Sequence, residues 1–328
     1  MERDFTPKPG RLMDQVRETL RFYHYSYSTE KSYVQWILRY IRFSERRHPK
    51  DMGKPEIERF LSHLAINRNV SASTQNQALN AILFLYKSVL KSPIDVEIRA
   101  RRANKPKQLP VVLSRQEIRA LCQHLSGTAL LMVQLMYAAG LRVTELHRLR
   151  VQDFDFDNEQ LYIADSKGGK GRTSLFPKIL HVSMRAQLDK VKRLHGQDLE
   201  KGFGEISLPN ALTRKYPNAG KSLGWQFAFP STTLSPDPRN GLVQRYHVHP
   251  SAIRKQINRA KDQAGITKRV TAHVFRHSFA THLLEDGVNI RMVQTLLGHK
   301  DVKTTEIYTH VMKKSLTGIK SPLEGLEA

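Results

Sequence analysis

Helical periodicity stops at Lys91 and resumes only at Ser114, and no other feature restricts the folding of this chain so strongly. Apolar residues recur at three- and four-residue steps on both sides of the gap. Within it, Arg99, Arg101, Arg102, Lys105 and Lys107 run on to Pro110 without an acidic residue between them. Such a stretch has no apolar face to bury, so it reads as a linker, and the 328 residues are expected to form two cores rather than one. The expected domains are a helical unit at 1–92, a basic linker at 93–112, a second domain at 113–311 and a tail at 312–328.

The first unit carries four helical patterns. One runs from Leu12 to Tyr23. A second follows Thr29 as N-cap and carries Tyr33, Trp36, Ile37, Tyr40 and Ile41. Pro55 opens a third, with Ile57, Phe60, Leu61 and Leu64 on one face. The fourth spans Ser73 to Leu90, with Leu79, Ile82, Leu83 and Tyr86 inward. This arrangement leaves Arg39, Arg42, Arg46 and Arg47 facing outward, as a nucleic-acid clamp requires.

The second domain opens with a capping box, Ser114 to Glu117, ahead of Ile118, Leu121, Cys122 and Leu125. The nearly all-apolar stretch from Thr128 to Ala139 predicts a central helix, capped by Gly140. After a further helix from Leu141 to Arg150 the period changes to two. Leu161 to Ala164 and Arg172 to Phe176, on either side of Gly168 and Gly169, predict a small antiparallel sheet. Helices are expected again from Ile179 to Leu194, Ser251 to Ala264, Ala272 to Glu285, Ile290 to Leu297 and Val302 to Val311. Residues 196–249 lack periodicity but hold Phe203, Tyr216, Trp225, Phe227, Phe229 and Tyr246 among basic residues. A loop so long is expected to be a functional insertion, partly helical.

Lysine and arginine total 53 against 30 acidic residues, giving +23, which points to a polyanionic partner because every neutralised phosphate releases counterions. The lone cysteine, Cys122, excludes a disulfide scaffold and any cysteine zinc site, and fits a reducing cytosol. No apolar run approaches the ~20 residues of a membrane helix, and the N-terminus lacks a signal-peptide core. A soluble, intracellular protein without a membrane partner is expected.

Chemistry concentrates near the C-terminus. His273 and Arg276 share a helix face, so an imidazole and a guanidinium can address one anion, and Arg142, just past Gly140, can reach the same anion. Two guanidiniums on one phosphate suit a transition state with extra charge on its equatorial oxygens. His299 and Tyr308 follow. A metal site at His273, His277 and His282 is disfavoured, because no carboxylate or cysteine joins them and Arg276 places a cation in their midst.

Together, Arg142, Lys167, the His273-x-x-Arg276 pair, His299 and Tyr308, with the run LLGHKDVKTTEIYTH, resemble the pattern of the tyrosine recombinase (phage integrase) family from about residue 10 to 312. The extra segment at about 203–245 is most similar to that of integron integrases. The resemblance implies a mainly α fold with a small antiparallel β-sheet, in a two-domain C-shaped DNA clamp: an N-terminal helical core-binding domain plus a mixed α/β catalytic domain. It implies a bacterial, cytoplasmic enzyme with no cofactor, working as a homotetramer on DNA with exchanged C-terminal tails. It further implies a nucleophile at Tyr308, phosphate contacts from Arg142, Arg276 and His299, proton handling by His273, and a general acid at Lys167, with Lys170 able to reach the same place. Integron-type sites are cassette sites, some folded from single strands with extrahelical bases. Stacking of such a base points to Trp225, His247 and His249, with Pro238 as a rigid contact. Backbone contacts are expected from Arg39, Arg42, Arg101, Arg102, Lys105, Lys107 and Lys170. A Xer-like or phage-type enzyme acting on duplex sites is the alternative.

Overall fold

The computed structural model describes residues 5–94, 110–164, 171–208, 212–299 and 301–308. It divides into two compact units, Met1–Lys107 and Gln108–Ala328. The chain is mostly helical with small antiparallel sheets.

The first unit holds α1 (Leu12–Phe22), α2 (Tyr27–Phe43), α3 (Lys54–Ile66) and α4 (Ala72–Phe84), the last continued by a π-helical turn at Leu85–Val89. Trp36, Tyr40, Ile57, Phe60, Leu61, Ile82 and Tyr86 form one core. Val16, Leu20, Ile37, Phe84, Leu85 and Val89 form another along α1. The two buried phenols satisfy each other: Tyr40 and Tyr86 hydroxyls lie 3.2 Å apart, and Tyr86 donates to the Pro49 carbonyl at 2.9 Å. The second helix begins earlier than its sequence suggests. Ser26, not Thr29, is the N-cap, its hydroxyl accepting the Thr29 amide, so Thr29 lies one turn inside the helix. Ala78 and Ala81 replace Leu79 and Leu83 as the fully buried residues of α4, because Tyr40 and Phe60 on neighbouring helices fill the space.

The second unit opens with α5 (Arg115–Gln123), whose Ser114–Glu117 capping box forms as the sequence predicts, and α6 (Gly127–Ala138). Leu131, Met132, Val133, Leu135 and Met136 of α6 are all buried, which makes this helix the axis of the core. The expected helix from Leu141 to Arg150 is shorter, α7 (Val143–Arg148), because Arg142 serves as its N-cap. Strands β1 (Phe154–Asp155), β2 (Gln160–Ile163) and β3 (Arg172–Leu175) pair antiparallel in that order. The Gly168-Gly169 connection lies outside the described residues.

Next comes α8 (His181–Glu200), which extends past the expected Leu194 because His195 and Asp198 continue its buried face. The segment beyond it folds as short turns, α9 (Leu212–Lys215), and a two-stranded ribbon of β4 (Ser235–Pro236) and β5 (Val243–Gln244). Three buried links hold it. Gln226 donates its amide to the Gly204 and Gly220 carbonyls, Gln187 donates to Ala228, and Arg245 forms a bidentate pair with Asp198 of α8. The chain continues through α10 (Pro250–Gln263), α11 (Ala272–Glu285), α12 (Ile290–Leu297) and α13 (Lys303–Glu306). No helix among the described residues is long and apolar enough to cross a membrane.

Candidate active site

The site is assembled from helix ends, where backbone carbonyls or amides lack intrahelical partners. Gly140 ends α6 at φ +59°, and a Cβ there would collide with the Phe279 ring, so this turn needs glycine for its conformation and for its close approach to α11. Two residues later Arg142 caps α7, its backbone N–H donating to Glu145 at 2.8 Å and its guanidinium to the same carboxylate at 2.6 Å.

Glu145 is the hub. It also accepts two parallel bonds of 2.8 Å from Arg172 on β3, and Arg276 Nη1 lies 3.8 Å away. Three guanidiniums around one buried carboxylate leave the site with an excess of positive charge, suited to an anion that arrives with its own. Burial alone would raise the Glu145 pKa, but the bonds from Arg172 and Arg142 prevail and hold it down to about 2. Arg172 does not stand out in the sequence, whereas Glu145, three residues from Arg142, is a natural ion-pair partner for it. Only the sheet brings residue 172 beside residue 145, and an isolated arginine at the start of a strand gives no signal.

Arg276 is buried, 4% exposed, and spans two helix ends. One nitrogen donates to the Gly140 carbonyl at 2.6 Å, and another donates to Leu297 at the end of α12 and to His299. Burial and the neighbouring Arg142 lower its pKa to about 9, so it stays cationic at neutral pH. Because a guanidinium only donates, Nε2 of His299 must accept, at 3.1 Å. Nδ1 therefore carries the proton and donates to the Thr305 hydroxyl at 2.9 Å. Burial and the surrounding arginines push the His299 pKa down to about 4, in keeping with this neutral tautomer. In this arrangement the ring bonds Arg276 and Thr305, whereas the family resemblance gives it a phosphate contact.

Tyr308 follows α13 and packs its ring, 2% exposed, against Phe279, Ala280, Leu284, Val293 and Leu297. Burial raises its pKa, while Arg276 and Arg142 act in the opposite direction. The imidazole that reaches its hydroxyl is His277, with Nδ1 at 3.1 Å, and not His273. His273 sits in the first turn of α11 with its outer edge exposed. Partial desolvation, with Arg276 and Arg142 nearby, lowers its pKa. Arg142, His273, Arg276, His299 and Tyr308 thus converge, whereas Lys167 and Lys170 lie outside the described residues. Among the described residues no cluster could hold a metal ion, and His282 is engaged with the Tyr137 hydroxyl at 2.9 Å.

The expected base-stacking residues differ in exposure. Trp225 is half-buried, and the Arg150 guanidinium already covers its ring at 5.1 Å. His247 is held against His147 and Phe227, with ring centroids at 5.5 and 5.3 Å. These two rings are therefore packed into the unit rather than presented free. Pro238 is exposed, and so is His249, which caps α10 by accepting the Ser251 amide. Arg39 and Arg42 are exposed on α2, Arg39 lying over Trp36 at 4.9 Å. Arg101, Arg102, Lys105 and Lys107 fall outside the described residues.

His147 is fully buried, and neither ring nitrogen finds a partner among the described residues. Burial, with His247 and His249 nearby, pushes its pKa to about 4, against 6.5 ordinarily. Its contribution to stability is whole above pH 6.5 and is lost as pH falls toward 4, because only the unfolded chain then takes up the proton. Urea unfolding of His147→Phe is expected to match or exceed wild type at pH 7.5. Near pH 5 the variant is expected to gain roughly 1–2 kcal/mol over wild type. An equal acid slope in both proteins would contradict this.

The two units each match a family model. One described as the phage integrase family covers residues 111–315, and one described as phage integrase, N-terminal SAM-like domain, covers residues 12–96. The chain belongs to the phage integrase family. This integrase is 44% identical, over 96% of its length and 94% of the relative's, to an integrase/recombinase of Escherichia coli. It is 32% identical to tyrosine recombinase XerD of Caulobacter vibrioides, over 82% of this chain and 80% of that one. Its fold is shared with a XerH recombinase bound to a palindromic difH substrate (TM-score 0.59, 19% identity, 92% and 82% of the two chains). A lambda integrase dimer bound to a COC′ core site gives 0.57, at 20% identity and 94% and 98% coverage. The integrase is an enzyme, a site-specific tyrosine recombinase.

Proposed function

We propose that this recombinase cuts and rejoins DNA through a 3′-phosphotyrosyl intermediate on Tyr308. The convergence of Arg276 and Arg142 at the Glu145 hub, with Tyr308 close enough to feel both cations, carries the reading. The phenolic oxygen attacks phosphorus, the bond to the 5′-oxygen breaks, and the 5′-hydroxyl later attacks in reverse on another strand. Arg142 and Arg276 hold the nonbridging oxygens, and His273 handles the tyrosine proton beside them. Lys167, or Lys170 across the two glycines, protonates the departing 5′-oxygen. A phenol of ordinary pKa about 10 is a far better leaving group than an alkoxide, so the linkage conserves the energy needed for religation. The enzyme needs no metal or ATP for these steps. Exposed Arg39 and Arg42, with Arg101, Arg102, Lys105 and Lys107, supply phosphate contacts, and four protomers assemble on DNA by exchanging residues 312–328.

The substrate in this proposal is a gene-cassette site, including single strands folded into hairpins with extrahelical bases. The anchored segment within 203–245 supports it: Gln226 ties its early turns together and Asp198 holds Arg245 beside β5, while Pro238 at the tip of the ribbon and His249 beyond it stay exposed for a protruding base. A Xer-like reading on duplex sites draws on another observation, the engagement of Trp225 and His247 inside the unit. Binding to a hairpin with unpaired bases, set against its fully paired version, discriminates the two. The cassette reading expects the unpaired form to bind at least about tenfold tighter, from stacking of about 1–3 kcal/mol per base. Equal binding would favour the duplex reading.

A further inference from the structure

Among the described residues, the one imidazole that hydrogen-bonds the Tyr308 hydroxyl belongs to a residue with no role in the reaction described so far. His277 lies one helical turn beyond His273 on α11, and its Nδ1 is 3.1 Å from the phenolic oxygen. The rings of His277 and Tyr308 are 5.5 Å apart and inclined at 49°, and Tyr308 is buried. Ser278, Phe279 and Ala280 beside it are buried, which restricts how far this turn of α11 can move.

We propose that His277 is the positioning residue for the nucleophile. It orients Tyr308 by accepting the phenolic hydrogen, so that an oxygen lone pair is aimed away from α11 toward the anion held by Arg142 and Arg276. The inference rests on the phosphotyrosyl reading above. Three observations support it. The Tyr308 ring is fixed in an apolar cluster with Phe279, Leu284, Val293 and Leu297, and among the described residues its hydroxyl hydrogen-bonds His277, so that bond decides its direction. Burial, with His273 and Arg276 close by, pushes the His277 pKa down to about 4, which keeps the ring neutral and able to accept. And His273, exposed at the start of the helix, makes no hydrogen bond to Tyr308 in the resting site, so His277 orients the hydroxyl before its proton passes to His273 during attack. Attack requires the oxygen to sit within near-attack distance along one direction, and a misplacement of about 1 Å costs about 10²-fold in rate.

Two reactions of the full-length enzyme separate positioning from general structural damage. The first is formation of the covalent adduct on a substrate nicked beside the cleavage point, which needs the Tyr308 oxygen as nucleophile. The second is joining of a 5′-hydroxyl strand to a strand ending in a 3′-p-nitrophenyl phosphate. There the 5′-oxygen–phosphorus bond forms, the aryl oxygen–phosphorus bond breaks, and p-nitrophenolate leaves without a proton, so Tyr308 takes no part. His277→Leu is expected to slow adduct formation about 10²-fold while activated joining stays within about twofold of wild type. His277→Asn, whose Oδ1 falls near the place of Nδ1, is expected to restore adduct formation to within about tenfold of wild type. Equal loss of both reactions in His277→Leu would overturn the proposal in favour of a structural role, and an unchanged adduct rate would overturn it outright. A wild-type enzyme that joins the activated ester but never forms an adduct would overturn the phosphotyrosyl reading itself, and this proposal with it.

Discussion

Replacing Tyr308 by phenylalanine is expected to leave DNA binding within about twofold of wild type and to remove the covalent adduct entirely. The ring is buried against Phe279, Leu284, Val293 and Leu297, and phenylalanine fills the same space, so the α11–α12 packing survives. The loss is confined to one oxygen. Without it the nearest hydroxyl in the described site is that of Thr305, which is bonded to His299 Nδ1 at 2.9 Å, and phosphorus is left without its phenolic nucleophile. The comparison is made in EDTA with a nicked suicide substrate. An adduct that persists in Tyr308→Phe, or free ends that appear only with added metal, would contradict the transesterification scheme.

The second large effect is expected at Arg276. Its guanidinium bridges the Gly140 and Leu297 carbonyls, which are helix-end acceptors with no helical partner, and it fixes the His299 tautomer. Arg276→Ala is expected to lower the cleavage rate about 10²–10³-fold, the order expected for removal of one preorganised transition-state donor. Stability is expected to fall by about 1–3 kcal/mol, from buried acceptors left unpaired. Affinity for DNA is expected to change little, because it draws on a net charge of +23 spread over the chain. Arg276→Lys is not expected to rescue cleavage, since a single ammonium cannot span two carbonyls and an imidazole at once. Thermal melting identifies the folded fraction, and gel shifts with single-turnover cleavage on that fraction supply the test. A proportionate loss of binding and cleavage would mean that Arg276 serves folding alone.

Local signals in the sequence were reliable where one interaction decides an element. The Ser114–Glu117 capping box forms, α11 and α12 have the expected limits, and Gly140 ends α6 in the left-handed region. Competing local signals were less informative. Ser26 and Thr29 are both good caps, and only the observed Thr29 amide bonded to the Ser26 hydroxyl distinguishes them. The two-residue strand β1 is too short for any period to register, and it exists because β2 offers it a partner. The gathering of Arg142, Arg276, His299 and Tyr308 was legible because each side chain has a distinctive chemistry at a distinctive spacing. What supports them was not. The Arg172–Glu145 pair and the His277–Tyr308 contact depend on distances closed by the sheet and by helix packing, which leave no periodic trace. The rings of Trp225 and His247 illustrate the converse. They were chosen for their chemistry, and tertiary packing against Arg150 and His147 had already engaged them.

The most direct measurement is peptide mapping, by mass spectrometry, of the wild-type protein trapped on a nicked DNA substrate in EDTA. The expected result is one modified peptide, with a nucleotide joined through its 3′-phosphate to the oxygen of Tyr308. Attachment at any other residue, linkage through a 5′-phosphate, or no attachment at all would contradict the scheme.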